Sequence, residues 1–161
     1  MSESDLSKIS KSGDILAIGS LEKESGFDLL IHSWVGVNEP IEIIGSGSQE
    51  KILNELIKSL ELESLVYINS IPSDKLIAEK LRVAKGLIVP SLEKENASLL
   101  QEAIKNEVPI LGTQLPEISK LIPREFLCEA GSVRELGALL EEMIPLLPQL
   151  NLQAIKQSLK T

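Results

Sequence analysis

Ile41-Glu42-Ile43-Ile44-Gly45-Ser46-Gly47-Ser48 is followed by Ile52, Leu53, Leu56, Ile57 and Leu60, and the reading of this stretch decides the fold class. A short apolar run rich in β-branched residues fits a buried strand better than a helix. The glycines then punctuate the chain, and beyond them the apolar period changes. Spacings of three and four place those five residues on one face of a helix over residues 48–60. Strand, glycine-rich turn and helix form the repeating unit of a parallel sheet covered by helices.

The same alternation extends in both directions. Further strand-like runs fall at residues 14–18, 65–68, 86–89 and 108–111, with a weaker one at 125–128, so six strands are expected. Helical segments lie between them. One over residues 27–35 is opened by Gly26, another starts at Pro72 and Ser73, and shorter candidates cover residues 97–106 and 115–121. Ser132-Val133-Arg134-Glu135 has the form of a capping box, and Leu136, Leu139, Leu140, Met143, Ile144 and Leu147 follow at helical spacing until Pro145 and Pro148 interrupt. A last short helix is expected over residues 150–160.

Composition agrees with this architecture. The chain has 161 residues, 43% of them apolar but only 2% aromatic. Its core must therefore be built from Leu, Ile, Val and Ala, which suits helices on a sheet better than an aromatic-rich sandwich. One domain over residues 14–161 is expected, preceded by a polar, mobile segment at 1–13. The net charge of −8 repels phosphate backbones and anionic lipid, so nucleic acid and membrane surfaces are poor partners. The single Cys and single His leave no material for a disulfide or a dedicated transition-metal site. Without a secretory signal or a spanning apolar run, a cytoplasmic location is the default expectation.

In a doubly wound sheet, ligands bind beyond the carboxyl ends of the strands. The loops to inspect are Gly19-Ser-Leu-Glu-Lys-Glu-Ser-Gly26 and Gly45-Ser-Gly47-Ser48. Their glycines let backbone N–H groups approach an anion, and a following helix N-terminus adds partial positive charge. The alternative is that the glycines only make tight strand-to-helix turns. His32 and Cys128 lack the neighbours that would activate them and read as structural. The charges Glu22-Lys23-Glu24 and Glu93-Lys94-Glu95 read as mostly solvated loop residues that lie where a ligand could reach them.

The ordered set Ile18-Gly19-x-Leu21, Gly26-x-Asp28-Leu29-Leu30-Ile31, Ile43-Ile44-Gly45-x-Gly47, Ala84-x-Gly86-Leu87-Ile88-Val89-Pro90-Ser91, Glu102-Ala103, Val108-Pro109-Ile110 and Leu115-Pro116-Glu117-Ile118 resembles the C-terminal, donor-binding domain of family 4 glycosyltransferases, which have the GT-B fold. The resemblance covers residues 14–144. It implies a six-stranded parallel sheet of order 3-2-1-4-5-6, a nucleotide-sugar ligand and no metal or other cofactor.

The departures fall where the family grips its donor. The family's diphosphate-binding Arg and Lys correspond to Ser20 and Ser25. Of its two functional glutamates, the one facing the transferred sugar corresponds to Lys94, and the one holding the ribose to Glu102. Ala97 stands where the family has a loop glycine, and a Gly-Gly ahead of Pro116 is absent, with about three residues fewer after Thr113. The resemblance leaves Glu102 as a ribose-binding candidate and the backbone at Ala97, Ser98 and Leu99 as a possible phosphate cradle. With Gly19, Ser20, Ser25, Gly45, Gly47 and Lys94, these make up the candidate nucleotide-sugar site. No catalytic residue carries over. The expectation is a separated half of a GT-B enzyme with a weakened donor site, lacking its acceptor-binding domain. The alternative is a non-catalytic interaction or regulatory subunit that uses the former cleft to bind another protein.

Overall fold

A computed structural model describes residues 13–71, 73–93 and 97–150. Six strands form one sheet: β1 (Ile15–Ile18), β2 (Ile41–Ile44), β3 (Val66–Asn69), β4 (Gly86–Val89), β5 (Ile110–Thr113) and β6 (Leu127–Cys128). Their order is β3-β2-β1-β4-β5-β6 and every pairing is parallel, as expected from the sequence. The helices are α1 (Phe27–Ser33), α2 (Glu50–Ser59), α3 (Asp74–Arg82), α4 (Ala97–Lys105), α5 (Pro116–Ser119) and α6 (Val133–Met143).

Strands β1 and β4, at the centre of the sheet, are apolar along their whole length because both faces are covered. Ile15, Ala17, Ile41, Ile43, Ile88 and Leu111 face a layer from α1, α2 and α6 that holds Trp34 and Leu140. Leu16, Ile44, Leu87, Val89 and Ile110 face the opposite layer, where Leu81, Leu100, Ala103 and Ile118 come from α3, α4 and α5. The chain thus leaves β1 toward one face and β4 toward the other. These neighbouring strands form the switch point, beyond whose carboxyl ends a crevice must open.

Local chemistry explains where the elements begin and end. The Ser73 hydroxyl accepts from the Leu76 N–H and caps α3; Pro72, the other expected start signal, lies outside the described residues. Strand β5 begins two residues later than the apolar run suggests. Val108 still donates to the Ala103 carbonyl at the end of α4, and Pro109 has no N–H to give. The weak run at 125–128 divides into a 3-10 turn, Arg124–Phe126, and the two-residue strand β6.

The capping box forms by half. The Ser132 hydroxyl accepts from the Glu135 N–H at 3.1 Å. The Ser132 N–H turns to the Glu129 carbonyl, however, and the Glu135 carboxylate faces that of Glu129.

The expected apolar run after α6 folds back on the core. Leu147 and Leu150 are buried, and Leu147 reaches into the space that a side chain at Gly86 would fill, with both methyls 3.3 Å from that position. The expected helix over 150–160 lies outside the described residues from position 151 onward, as does the N-terminal segment through position 12.

Candidate functional site

A cavity of about 520 Å³ opens at the switch point. It is lined by Ile18, Gly19, Ser20, Glu24, Ser25 and Phe27 from the β1 side and by Val89, Pro90, Ser91 and Glu93 from the β4 side. Its volume lies within the roughly 300–1,000 Å³ of small-molecule sites.

The walls are held by backbone contacts that only particular residues allow. Gly26 has φ of 74°, and a Cβ there would sit 2.0 Å from the Pro90 carbonyl oxygen, so glycine is needed on both counts. One step further, the Leu92 N–H donates to the Glu24 carbonyl at 2.8 Å. This bond joins the two loops from which Glu24 and Glu93 line the cavity. Across the mouth, the hydroxyls of Ser20 and Ser25 lie 3.3 Å apart. Below, the Thr113 hydroxyl donates to the Ser91 carbonyl at 2.8 Å and ties the β4 loop to β5.

The loop after β2 braces the loop after β1. The Leu21 N–H donates to the Ser46 carbonyl at 2.9 Å, and the Leu21 carbonyl accepts from the Gln49 N–H at 2.8 Å. Glu22 completes the brace: its carboxylate accepts from the Ser48 N–H at 3.0 Å and from the Ser48 hydroxyl. Those bonds hold the Glu22 carboxyl below the usual carboxylate range, the hydroxyl contributing most and the amide next. An internal carboxylate therefore sits ahead of α2, where a helix favours negative charge.

The expected site residues fall into separate groups. Gly19, Ser20 and Ser25 line the cavity. Gly45 and Gly47 do not line it; they admit the β1 loop, because a Cβ would lie 1.8 Å from the Gly19 carbonyl oxygen at the first position and 2.6 Å from that of Leu21 at the second. Ala97, Ser98 and Leu99 form the first turn of α4, outside the cavity wall. Glu102 follows on the same helix, and the Asn106 amide donates to its carbonyl at 2.8 Å and its carboxylate at 3.3 Å. Lys94 lies outside the described residues.

Of the loop charges read as mostly solvated, Glu24 and Glu93 line the cavity, whereas Lys23 does not. Ser91 and Phe27 were not singled out from the sequence as site residues, although Ser91 ends one quoted run and Phe27 is the unspecified position between Gly26 and Asp28. Among the described residues no set of acidic, His and Cys side chains converges as a metal site, and no helix is long and apolar enough to cross a membrane.

A family profile for glycosyl transferases group 1 matches residues 3–157. The chain belongs to that family. An uncharacterized glycosyltransferase of Haemophilus influenzae is 28% identical over 153 residues, which are 89% of this chain and 42% of that protein. The Anabaena protein HepE, solved in complex with UDP, superposes with a TM-score of 0.77 at 18% identity, over 96% of this chain and 47% of HepE. The C-terminal domain of the group 1 glycosyltransferase LpcC from Francisella tularensis gives 0.75 at 16% identity, over 95% of this chain and 89% of that domain. The chain thus spans less than half the length of the Haemophilus protein and of HepE.

Proposed function

We propose that this chain is the nucleotide-sugar-binding half of a GT-B glycosyltransferase, with a diphosphate grip that has been weakened. The observation that carries the reading is the cavity at the β1–β4 switch point, with Ser20 and Ser25 at its mouth. That is where a doubly wound domain places its ligand, and HepE, of the same fold, is a UDP complex.

Ser20 and Ser25 stand where the resemblance implies Arg and Lys, and among the described residues none of those lining the cavity is basic. A charge-assisted hydrogen bond contributes about 1.5–3 kcal/mol, so two such losses cost roughly 3–6 kcal/mol, or about a hundred-fold to ten-thousand-fold in affinity. Glu102 supplies the ribose contact. Transfer requires a second domain to hold the acceptor against the donor, so the chain alone binds donor weakly and turns none over.

Calorimetric titration with UDP, GDP and ADP tests this. The expected result is millimolar binding that tightens at least ten-fold in the Ser20→Arg, Ser25→Lys double variant and disappears in Glu102→Ala. Micromolar binding by the unmodified chain overturns the weakened grip. No gain in the double variant overturns the assignment of the cavity to a diphosphate, and favours the reading in which this face binds a protein partner.

A further inference from the structure

The Glu102 carboxylate, to which the proposed function gives the ribose, is already engaged inside the chain. The Asn106 side-chain amide donates to its Oε1 at 3.3 Å and to the Glu102 carbonyl at 2.8 Å, and the Asn106 backbone N–H donates to the same carbonyl at 3.1 Å. Both residues are half-buried. Asn106 immediately follows α4, which ends at Lys105, so its amide serves a terminal carbonyl and captures the glutamate one turn earlier.

Direction gives this bond its meaning. Helix α4 descends from the carboxyl end of β4, where the cavity opens, toward the opposite edge of the sheet. Three residues past Asn106 the Pro109 carbonyl accepts from the Leu87 N–H at 2.9 Å, near the start of β4. Asn106 thus lies on the side away from the cavity, about 6 Å further along the helix axis than Glu102. A glutamate within a helix otherwise leans toward the N-terminus, here Ala97 and the cavity edge. The bond to Asn106 draws the carboxylate the other way, and Glu102 does not line the cavity.

We propose that Asn106 is a latch on Glu102: it holds the carboxylate away from the ligand edge, and a nucleotide binds by exchanging the Asn106 amide for its ribose hydroxyls. The inference rests on the nucleotide reading of the site. It adds a positioning residue that sets affinity through Glu102 without touching the ligand. A ribose brings two hydroxyl donors against the single amide bond at Oε1, so the exchange favours the ligand once the nucleotide is in place. Opening the latch costs one ordinary hydrogen bond, which lowers affinity about five-fold. That cost falls only on ligands that use the ribose contact. Pyrophosphate meets the loops without calling on Glu102.

Titration of the unmodified chain and of Asn106→Ala with UDP and with pyrophosphate tests the latch. UDP is expected to bind about five-fold more tightly to the variant, the worth of the one bond no longer broken, with pyrophosphate unchanged. The substitution also removes a bond at the end of α4, so a thermal scan checks folding; a merely structural role would weaken both ligands or neither. In a Glu102→Ala background, removing the Asn106 side chain should restore no binding. A second measurement needs no variant: in the isotopically labelled, unmodified chain, UDP should shift the Asn106 side-chain amide signals and pyrophosphate should leave them in place. UDP binding that Asn106→Ala leaves unchanged or weakens, or amide signals that stay still as UDP binds, overturns the latch and leaves the nucleotide site standing. UDP binding indifferent to Glu102→Ala, or no UDP binding at all, overturns the ribose assignment and the latch with it.

Discussion

Replacing Gly45 by Ala adds one methyl group and should destabilise the protein by about 3–5 kcal/mol, through overpacking and lost backbone bonds. The new Cβ would lie 1.8 Å from the Gly19 carbonyl oxygen and 3.0 Å from its carbon. No rotamer change relieves a clash with backbone, so the loops after β1 and β2 must part by about 1 Å to reach tolerable contact. Two bonds that cross the same gap cannot follow: Gly19 N–H to the Ile44 carbonyl at 3.0 Å, and Leu21 N–H to the Ser46 carbonyl at 2.9 Å. Each contributes about 1 kcal/mol, and the overpacking strain adds a further 1–3 kcal/mol. Urea denaturation reads the sum directly. Trp34 is the only tryptophan and is fully buried, so its fluorescence reports exposure of the α1 layer. A loss below about 0.5 kcal/mol, the range of ordinary surface substitutions, would refute the argument that these glycines exist to let one loop rest on the other.

Gly137 offers the opposite case: it lies within α6, and a Cβ there meets nothing nearer than 3.9 Å, so Gly137→Ala should stabilise by about 0.5–1 kcal/mol and raise the melting temperature. The Cys128 thiol is pushed up to about 11, first by burial and then by the charge of Glu135; at pH 8 a thiol reagent should label it only at the rate of unfolding, and rapid labelling of the native chain would contradict that. Glu22 has the reverse sign. Because its folded carboxyl titrates below the unfolded one, its stabilising effect is complete above the unfolded value, about 4.3, and is lost as pH falls through the folded value. Glu22→Gln should therefore flatten the acid limb of urea midpoints measured from pH 7 down to pH 3, and an unchanged limb would count against the bond to Ser48.

The strands were legible because a sheet covered on both faces leaves largely apolar runs, and the order of those runs with their turn glycines carried the family. What the sequence could not display was any relation between residues far apart along the chain. Glu42 interrupts the run Ile41–Ile44, and nothing near it in sequence marks it as buried and bonded. Its partners are the Lys80 ammonium at 2.7 Å, from α3, and the Asn69 amide at 2.6 Å, from the end of β3. Gly45 was readable as a position that needs glycine, but the obstacle is a carbonyl in another loop. Ser20 and Ser25 were reached through resemblance alone. Glu24 and Glu93 looked like ordinary loop charge, since the Leu92–Glu24 bond joins loops that are far apart along the chain.

The loop after β1 is held from two sides, and this fixes what can vary in the site. On one side Leu21 and Glu22 lock it to the start of α2; on the other Glu24 and Gly26 lock it to the loop after β4. From this anchored loop the rim side chains Ser20, Glu24 and Ser25 line the cavity, on a backbone that has little freedom to move. A ligand therefore meets a preformed cavity, and its ordering cost falls on side chains rather than on the loop. It follows that substitutions at the rim should change affinity and charge preference without changing stability, whereas substitutions at the anchors should change both. Ser20→Arg and Glu24→Gln belong to the first group and Gly45→Ala to the second. That separation distinguishes a chain whose scaffold is kept while its specificity is altered from one whose site has simply decayed.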